Sequence, residues 1–183
     1  MHIRPYSEKD KERFRYICLH TAGCLDKPRK EQQFILKLYC DYYIENEAEN
    51  CFALADENDE AVGYILCSED FETYKKDFKP YLADIRKIGL RKFFYARGEI
   101  IAHTIASEKY KAHMHIDILP EYQSNGFGSE MIGTLRNHLK EKNIGGLMLV
   151  VGSGNTGAVR FYKKNGFVPF FDFEKGILMT LDI

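Results

Sequence analysis

Hydrophobic residues recur along this chain with two different periods, and the changes of period divide it into elements. Residues 113–118 alternate: His113, His115 and Asp117 interleave with Met114, Ile116 and Ile118. That is the period of a strand with two unlike faces. Pro120 cannot donate to a ladder and ends it. Beyond the loop at 123–128, Met131, Ile132, Leu135 and Leu139 recur at spacings of 1, 3 and 4, which is one apolar helical face. Gly145-Gly146 reads as the stop of that helix. The unbroken apolar run 147–151 suits a buried strand. A second glycine-bearing loop leads to a second helix ending at Asn165-Gly166, and 167–173 and 177–181 read as strands around Glu174-Lys175-Gly176.

Upstream the pattern is also readable. Residues 2–5 form a brief edge strand stopped by Pro5. Ser7 is an N-cap with Asp10 as its capping-box acid, followed by a helix carrying Phe14, Ile17, Cys18 and Leu19 and ending near Gly23. Pro28 restarts a helix in its first turn, with Phe34, Ile35, Leu38, Tyr39 and Tyr42 on one face. Residues 51–55 and 61–67 read as a hairpin. The forty-odd residues 68–110 are too many for a plain loop. One or two helices are expected there, containing Leu82-Ala83-Asp84-Ile85 and Ile100-Ile101-Ala102-His103. The aromatics of this segment fit either an extra packing layer or a cover over a small-molecule pocket.

Composition narrows the class. The 183 residues suit a single domain spanning 1–183, and the formal net charge of −1 argues against a nucleic-acid surface. No apolar run is long enough for a membrane span, and the first residues lack the pattern of a secretion signal. The five cysteines (Cys18, Cys24, Cys40, Cys51, Cys67) are scattered without a paired motif, which points to reduced thiols in the cytoplasm. His20 and Cys24 are spaced like ligands but lack the further partners a metal requires.

The loop at 123–128 has a definite physical use. A strand runs into it and a helix leaves it, so unpartnered N–H groups and the positive end of a helix dipole meet there. Gly126 and Gly128 carry no Cβ and let a ligand approach the backbone, making a cradle for a phosphate or pyrophosphate. The run Gln123-Ser124-Asn125-Gly126-Phe127-Gly128 after Leu119-Pro120-Glu121-Tyr122, with the later Asn155…Ala158-Val159-Arg160-Phe161-Tyr162-Lys163-Lys164-Asn165-Gly166-Phe167, resembles the two signatures of the GNAT superfamily of N-acetyltransferases. Within it the chain is similar to a subgroup related to the acetyltransferase-like domain of some β-N-acetylglucosaminidases. The resemblance implies an α/β fold: a mixed, twisted sheet of six to seven strands, helices on both faces, and here a helical insertion between the third and fourth strands.

It also implies a chemistry. Acetyl-CoA would be the co-substrate, held by Ile118, Leu119, Gln123, Ser124, Asn125, Gly126, Phe127, Gly128, Ser129, Asn155, Ala158 and Tyr162. Tyr162 would protonate the departing thiolate, and a backbone N–H near Ile118 would meet the oxyanion. An amine acceptor must lose a proton before it attacks, and Asp117 or His115 could take it directly or through water. His113, Glu69, Asp70 and Glu99 are further candidates. A strand bulge common in the family leaves open which face of 113–118 looks into the cleft. Bland readings stand beside these: Asn155 as a plain N-cap, Tyr162 as a core aromatic beside Phe161, and Asp117 as a buried, hydrogen-bonded acid. Tyr162 follows Asn155 by seven residues, about two turns, which puts both on one helical face.

Gly152-Ser153-Gly154-Asn155-Thr156-Gly157 matches a dinucleotide-binding fingerprint, but the chain beyond it reads as strands and no acid falls about twenty residues on. The expected reaction is direct acetyl transfer to a primary amine of a small molecule or peptide, with no metal and no covalent acyl-enzyme. A CoA-binding module without turnover is the alternative, and a homodimer is compatible with either.

Overall fold

The structure, a computed structural model, describes residues 1–183. Seven strands form one sheet: β1 (His2–Pro5), β2 (Phe52–Ala55), β3 (Ala61–Ser68), β4 (Ala112–Ile118), β5 (Gly146–Gly152), β6 (Val168–Asp172) and β7 (Gly176–Asp182). Their order is β1-β2-β3-β4-β5-β7-β6, antiparallel throughout except for the parallel pair β4–β5. Every residue of β3 is buried, which requires cover on both faces. The helices α1 (Lys11–Thr21), α2 (Arg29–Tyr39) and α3 (Asp41–Asn46) cover one face, where Phe14 meets Tyr64 with ring centroids 5.2 Å apart. On the other face lies α7 (Phe127–Glu141), whose His138 packs on Phe52 at 5.3 Å.

Several elements differ from the sequence pattern, each for a local reason. The helix restarted after Pro28 breaks at Cys40, whose φ/ψ of −136°/−63° is not helical, so Tyr42 belongs to α3 and Pro28 serves as N-cap rather than first-turn residue. Helix α7 ends at Glu141, before the Gly145-Gly146 pair. Asn143 takes the left-handed conformation (φ 60°), and Ile144 N–H returns to Leu139 O at 2.9 Å; Asn tolerates that conformation better than most residues. Gly146 sits instead in β5, where a Cβ would come within 2.7 Å of the Tyr110 ring.

The insertion holds three helices, α4 (Phe71–Asp77), α5 (Lys79–Ile88) and α6 (Leu90–Thr104), not one or two. Its aromatics divide. Phe71, Tyr74 and Phe78 are buried and pack with Tyr42, Tyr43 and His113, a packing layer over the start of β4. Phe94 and Tyr95 on α6 are more than half exposed. Helix α8 (Thr156–Lys164) completes the fold.

The strand carrying the candidate site is held in register from one side only. β3 and β4 pair without interruption from Ser68↔His113 to Gly63↔Ile118, so β4 carries no bulge against β3. β4 and β5 pair only at Ala112↔Leu147 and His113↔Met148 and then part. Gly63 permits the close approach at the far end, where a Cβ would stand 2.9 Å from Ile118 Cγ1 and 3.0 Å from Asp117 O. Gly63→Ala should therefore overpack this pair and cost about 1–3 kcal/mol. Chemical denaturation should show a lower midpoint with an unchanged slope.

Candidate active site

The parting of β4 from β5 exposes a strand edge, and antiparallel geometry decides which atoms it presents. Hydrogen-bonded and non-bonded pairs alternate along such a ladder. Leu119 N–H donates to Val62 O at 2.9 Å, so Asp117 and Tyr64 form a bonded pair, and the amides of Ile116 and Ile118 turn away from β3 toward the gap. Gln123 Nε2 donates to Ile118 O at 2.7 Å and pins the end of the strand. The expectation that one side-chain face of β4 looks into the cleft is thus replaced: the cleft opens along the edge, and both Ile116/Ile118 and Asp117 reach it.

The loop after β4 supplies the cradle. Pro120–Tyr122 makes a single 3-10 turn, Ser124 and Gly126 take positive φ (65° and 89°), and α7 starts at Phe127. Gln123 N–H is bonded to Pro120 O, and Ser129 and Glu130 N–H both bond to Gly126 O. The five backbone N–H groups between them, from Ser124 to Gly128, donate to nothing in the protein. Consecutive free amides at the positive end of a 15-residue helix have the geometry suited to an anion. The two glycines serve different ends. A Cβ on Gly126 would meet nothing within 4 Å, so this residue supplies the left-handed turn and an open backbone. A Cβ on Gly128 would stand 2.9 Å from the Phe161 ring, so this glycine lets α7 and α8 approach.

A cleft of about 540 Å³ joins these parts. Of the residues singled out in the sequence, Asp117, Ile118, Gln123, Ser124, Gly126, Phe127, Gly128, Ser129, Asn155, Ala158 and Tyr162 line it. Three do not. Leu119 is buried in the core with its N–H tied to β3, Asn125 turns its amide back to Gln123 O at 3.1 Å, and His115 faces a separate slot. The pattern missed Ile116, Tyr122, Gly157, Phe161 and Lys164, which also line the cleft. Lys164 had a legible signal: it is a cation in the last turn of the helix that bears Asn155 and Tyr162.

Asn155 caps α8, its Oδ1 accepting from Ala158 N–H at 3.1 Å. Its Nδ2 makes no hydrogen bond within the protein and remains free to donate. Tyr162 packs at an angle against Phe161 and edge-on to Phe167 (centroids 5.3 and 5.6 Å away), while its hydroxyl makes no hydrogen bond within the protein. Burial, and then the charge of Asp117, raise the phenol above its ordinary range, so it stays protonated throughout the neutral range. Asp117 accepts from Tyr64 Oη at 2.5 Å. Burial lifts its carboxyl to about 6, partly offset by that hydrogen bond.

The histidines of β4 are arranged differently. Tyr43 Oη lies 2.9 Å from His113 Nε2 and 3.0 Å from His115 Nε2. One hydroxyl thus bridges both rings, donating to one and accepting from the other. Burial, then the other histidines nearby, hold His113 far below its ordinary value and His115 down to about 3. Both are neutral at pH 7. Glu69 and Asp70 lie elsewhere, the first paired with Lys142 and the second capping α4 through Thr73 N–H.

Comparison with known proteins identifies the family and supports the fold. A sequence model described as the acetyltransferase (GNAT) family matches residues 15–167. The chain belongs to that family. Among solved structures it is similar to one described as SsHAT (24% identity, TM-score 0.82, 99% of this chain and 97% of that one). It is also similar to PH1933 from Pyrococcus horikoshii OT3 (16% identity, TM-score 0.68, 100% and 98%). A third is the PaiA N-acetyltransferase of Thermoplasma acidophilum in complex with coenzyme A (16% identity, TM-score 0.64, 100% and 98%). At these identities the likeness speaks for the fold. No curated protein sequence matches significantly.

The raised carboxyl of Asp117 has a consequence for stability. Its folded value, about 6, lies above the ordinary 3.8. The folded state therefore holds its proton more tightly than the unfolded state does. Ionisation costs stability in full above about pH 6, and the cost fades as pH falls toward 4. Asp117→Asn keeps an acceptor for Tyr64 and should be more stable than the parent by about 1–3 kcal/mol at pH 8. The two proteins should converge near pH 4, as urea melts across that range would show.

Proposed function

We propose that the protein transfers an acetyl group from acetyl-CoA to a primary amine by direct attack within a ternary complex. The observation that carries this reading is the run of five free amides, 124–128, set beside a strand edge opened by the parting of β4 and β5. The amides suit the pyrophosphate of CoA, with Lys164 nearby as a counter-charge. The outward amides of Ile116 and Ile118 suit the amide-bearing pantetheine arm, which would add to β4 as a short strand does. Asn155 Nδ2 can donate to the same arm.

Chemical roles follow from position and protonation. Whichever of the two outward amides the arm leaves free, near Ile118, is suited to the tetrahedral oxyanion. Asp117 has the better-matched base, since a group near 6 is ionised at pH 7 yet basic enough to take a proton, whereas His115 near 3 is a much weaker acceptor. The amine gives its proton to Asp117, directly or through water, and attacks the thioester carbon. Collapse of the adduct breaks the C–S bond, Tyr162 gives its phenolic proton to the departing sulfur, and the resulting phenolate takes the second proton from the attacking nitrogen, leaving a neutral amide. Its hydroxyl, free of protein partners, is available for that bond. The raised phenol is a poorer match to a thiol than an ordinary tyrosine but is fully protonated when needed. All five cysteines are unpaired, which accords with a reducing, cytoplasmic setting.

Incubation with acetyl-CoA and a panel of primary amines, followed by thiol release, tests this directly. Binding of CoA without release of thiol for any amine would favour a module without turnover. Gly126→Val places a branched side chain at φ 89° over the cradle. It should weaken CoA binding at least tenfold, about 1.4 kcal/mol, as measured by calorimetry. Tyr162→Phe should lower turnover about 10²–10⁴-fold while CoA affinity and melting temperature stay close to the parent's.

A further inference from the structure

Asp117 sits partly buried in the cleft wall with no cation to hold its charge. Burial raises its carboxyl, and nearby hydroxyls, Tyr64 before Thr21, lower it; no lysine or arginine contributes. Other buried carboxylates of the chain lean on guanidiniums instead, Asp10 on Arg4 and Asp41 on Arg15. At Asp117 only hydroxyl donors can oppose the cost of burying a charge. Thr21 has a single hydroxyl proton, and its own helix takes it: the acceptors are Ile17 O at 2.9 Å and Cys18 O at 3.2 Å. That leaves Tyr64, whose Oη donates to Asp117 Oδ2 at 2.5 Å.

The fold holds Tyr64 in that one role. It stands directly opposite Asp117 in the β3–β4 ladder, so both side chains leave the same face of the sheet. Its ring is fully buried, and Phe14 of α1 packs on it with centroids 5.2 Å apart. Its hydroxyl has no other partner in the protein. Burial, then the charge of Asp117, hold the phenol far above its ordinary range, so it remains a donor throughout the neutral range. The other titratable groups around the carboxylate do not compete. Tyr162 on α8 keeps its own proton, and His115, two residues earlier on β4, is neutral and bound to Tyr43. With Oδ2 occupied by Tyr64, Oδ1 accepts no hydrogen bond within the protein and is left to the cleft that Asp117 lines.

Resting on the acetyl-transfer reading above, we propose that Tyr64 is a positioning residue of the reaction: its hydroxyl stabilises the charged form of Asp117 in a site without a cation and leaves Oδ1 to take the proton of the acceptor amine. The sign of its effect follows. A hydrogen bond to the ionised form favours that form, so losing it moves the carboxyl up from its value of about 6. For a charge-assisted bond the rise should be about one pH unit or more. Half or more of the Asp117 side chains would then carry a proton at pH 7 and could not act as the base.

Tyr64→Phe removes the hydroxyl and keeps the ring. The test measures thiol release from acetyl-CoA against pH for the parent and Tyr64→Phe, with the amine of the panel above that the parent uses fastest. Carbon NMR follows the Asp117 carboxyl in both, its signal assigned by its loss in Asp117→Asn. The variant's kcat/KM should be about a tenth of the parent's at pH 5 and close to it at pH 9, and the carboxyl midpoint should rise by about one pH unit or more. A loss of the same size at every pH, or a carboxyl that does not move, overturns the proposal while leaving acetyl transfer intact. A carboxyl that moves while the acid limb of the rate stays in place overturns it too, because Asp117 is then not the base. Should Tyr64→Phe fail to fold at neutral pH, Tyr64→Phe/Asp117→Asn decides: it should fold, since no charge is left stranded, and its failure to fold overturns the proposal. If the parent releases no thiol with any amine, the acetyl-transfer reading fails separately. The carboxyl midpoint then still reads the hold of Tyr64 on Asp117, a rise supporting it and an unchanged value overturning it.

Discussion

The site depends on a pairing that stops. β4 and β5 share two register positions and then separate, although each remains bonded on its other side, β4 to β3 over six positions and β5 to β7 over seven. Two rigid antiparallel blocks are thus joined at one end like a hinge held open. A parallel pair contributes ladder bonds only where the strands run together, and beyond His113 the sheet forgoes them. In exchange the amides of Ile116 and Ile118 are left for a ligand to complete. Nearly everything else at the site is arranged around that gap: the amide run after β4, the helix α8 after β5, and Tyr162 with Asp117 at the split.

Burial then sorts the titratable groups. Asp117, His115 and His113 lie on one face of one strand, yet only the carboxylate keeps a value near the working pH. The histidines are neutralised by burial and bound together by Tyr43. The polar row of β4 thereby divides into a structural half, packed under α4 and α6, and a half that reaches the cleft. The insertion takes part in both: α4 seals the His113 end with Phe71, Tyr74 and Phe78, and α6 brings Glu99 beside His115.

The elements were largely legible because each rests on local rules. Alternation at 113–118, the helical face of Met131, Ile132, Leu135 and Leu139, and the positive-φ stop at Gly166 are all written in nearest-neighbour terms. The misread ends came from local alternatives of similar strength. Asn143 took the left-handed turn four residues after Leu139, before the glycine pair could, and Cys40 broke a helix whose apolar face continued past it. The open, left-handed backbone at Gly126 was legible in the loop, whereas Gly128 proved to be a contact between two helices, a requirement that no spacing within one helix records.

The sequence by itself determined the strand–loop–helix succession, the glycine-bearing cradle, and the shared face of Asn155 and Tyr162, because these follow from backbone periods and the geometry of a single helix. Only the tertiary structure decided which groups meet. Leu119 went to the core and Ile116 to the cleft because hydrogen-bond alternation against β3, not side-chain parity, sets which atoms an opened strand edge presents. His115 left the cleft because Tyr43, seventy-two residues earlier in the chain, holds its ring. The protonation of Asp117, and the neutrality of His113 and His115, arise from burial and from pairings between distant segments. Those are properties of the packed whole, and no stretch of the chain carries them alone.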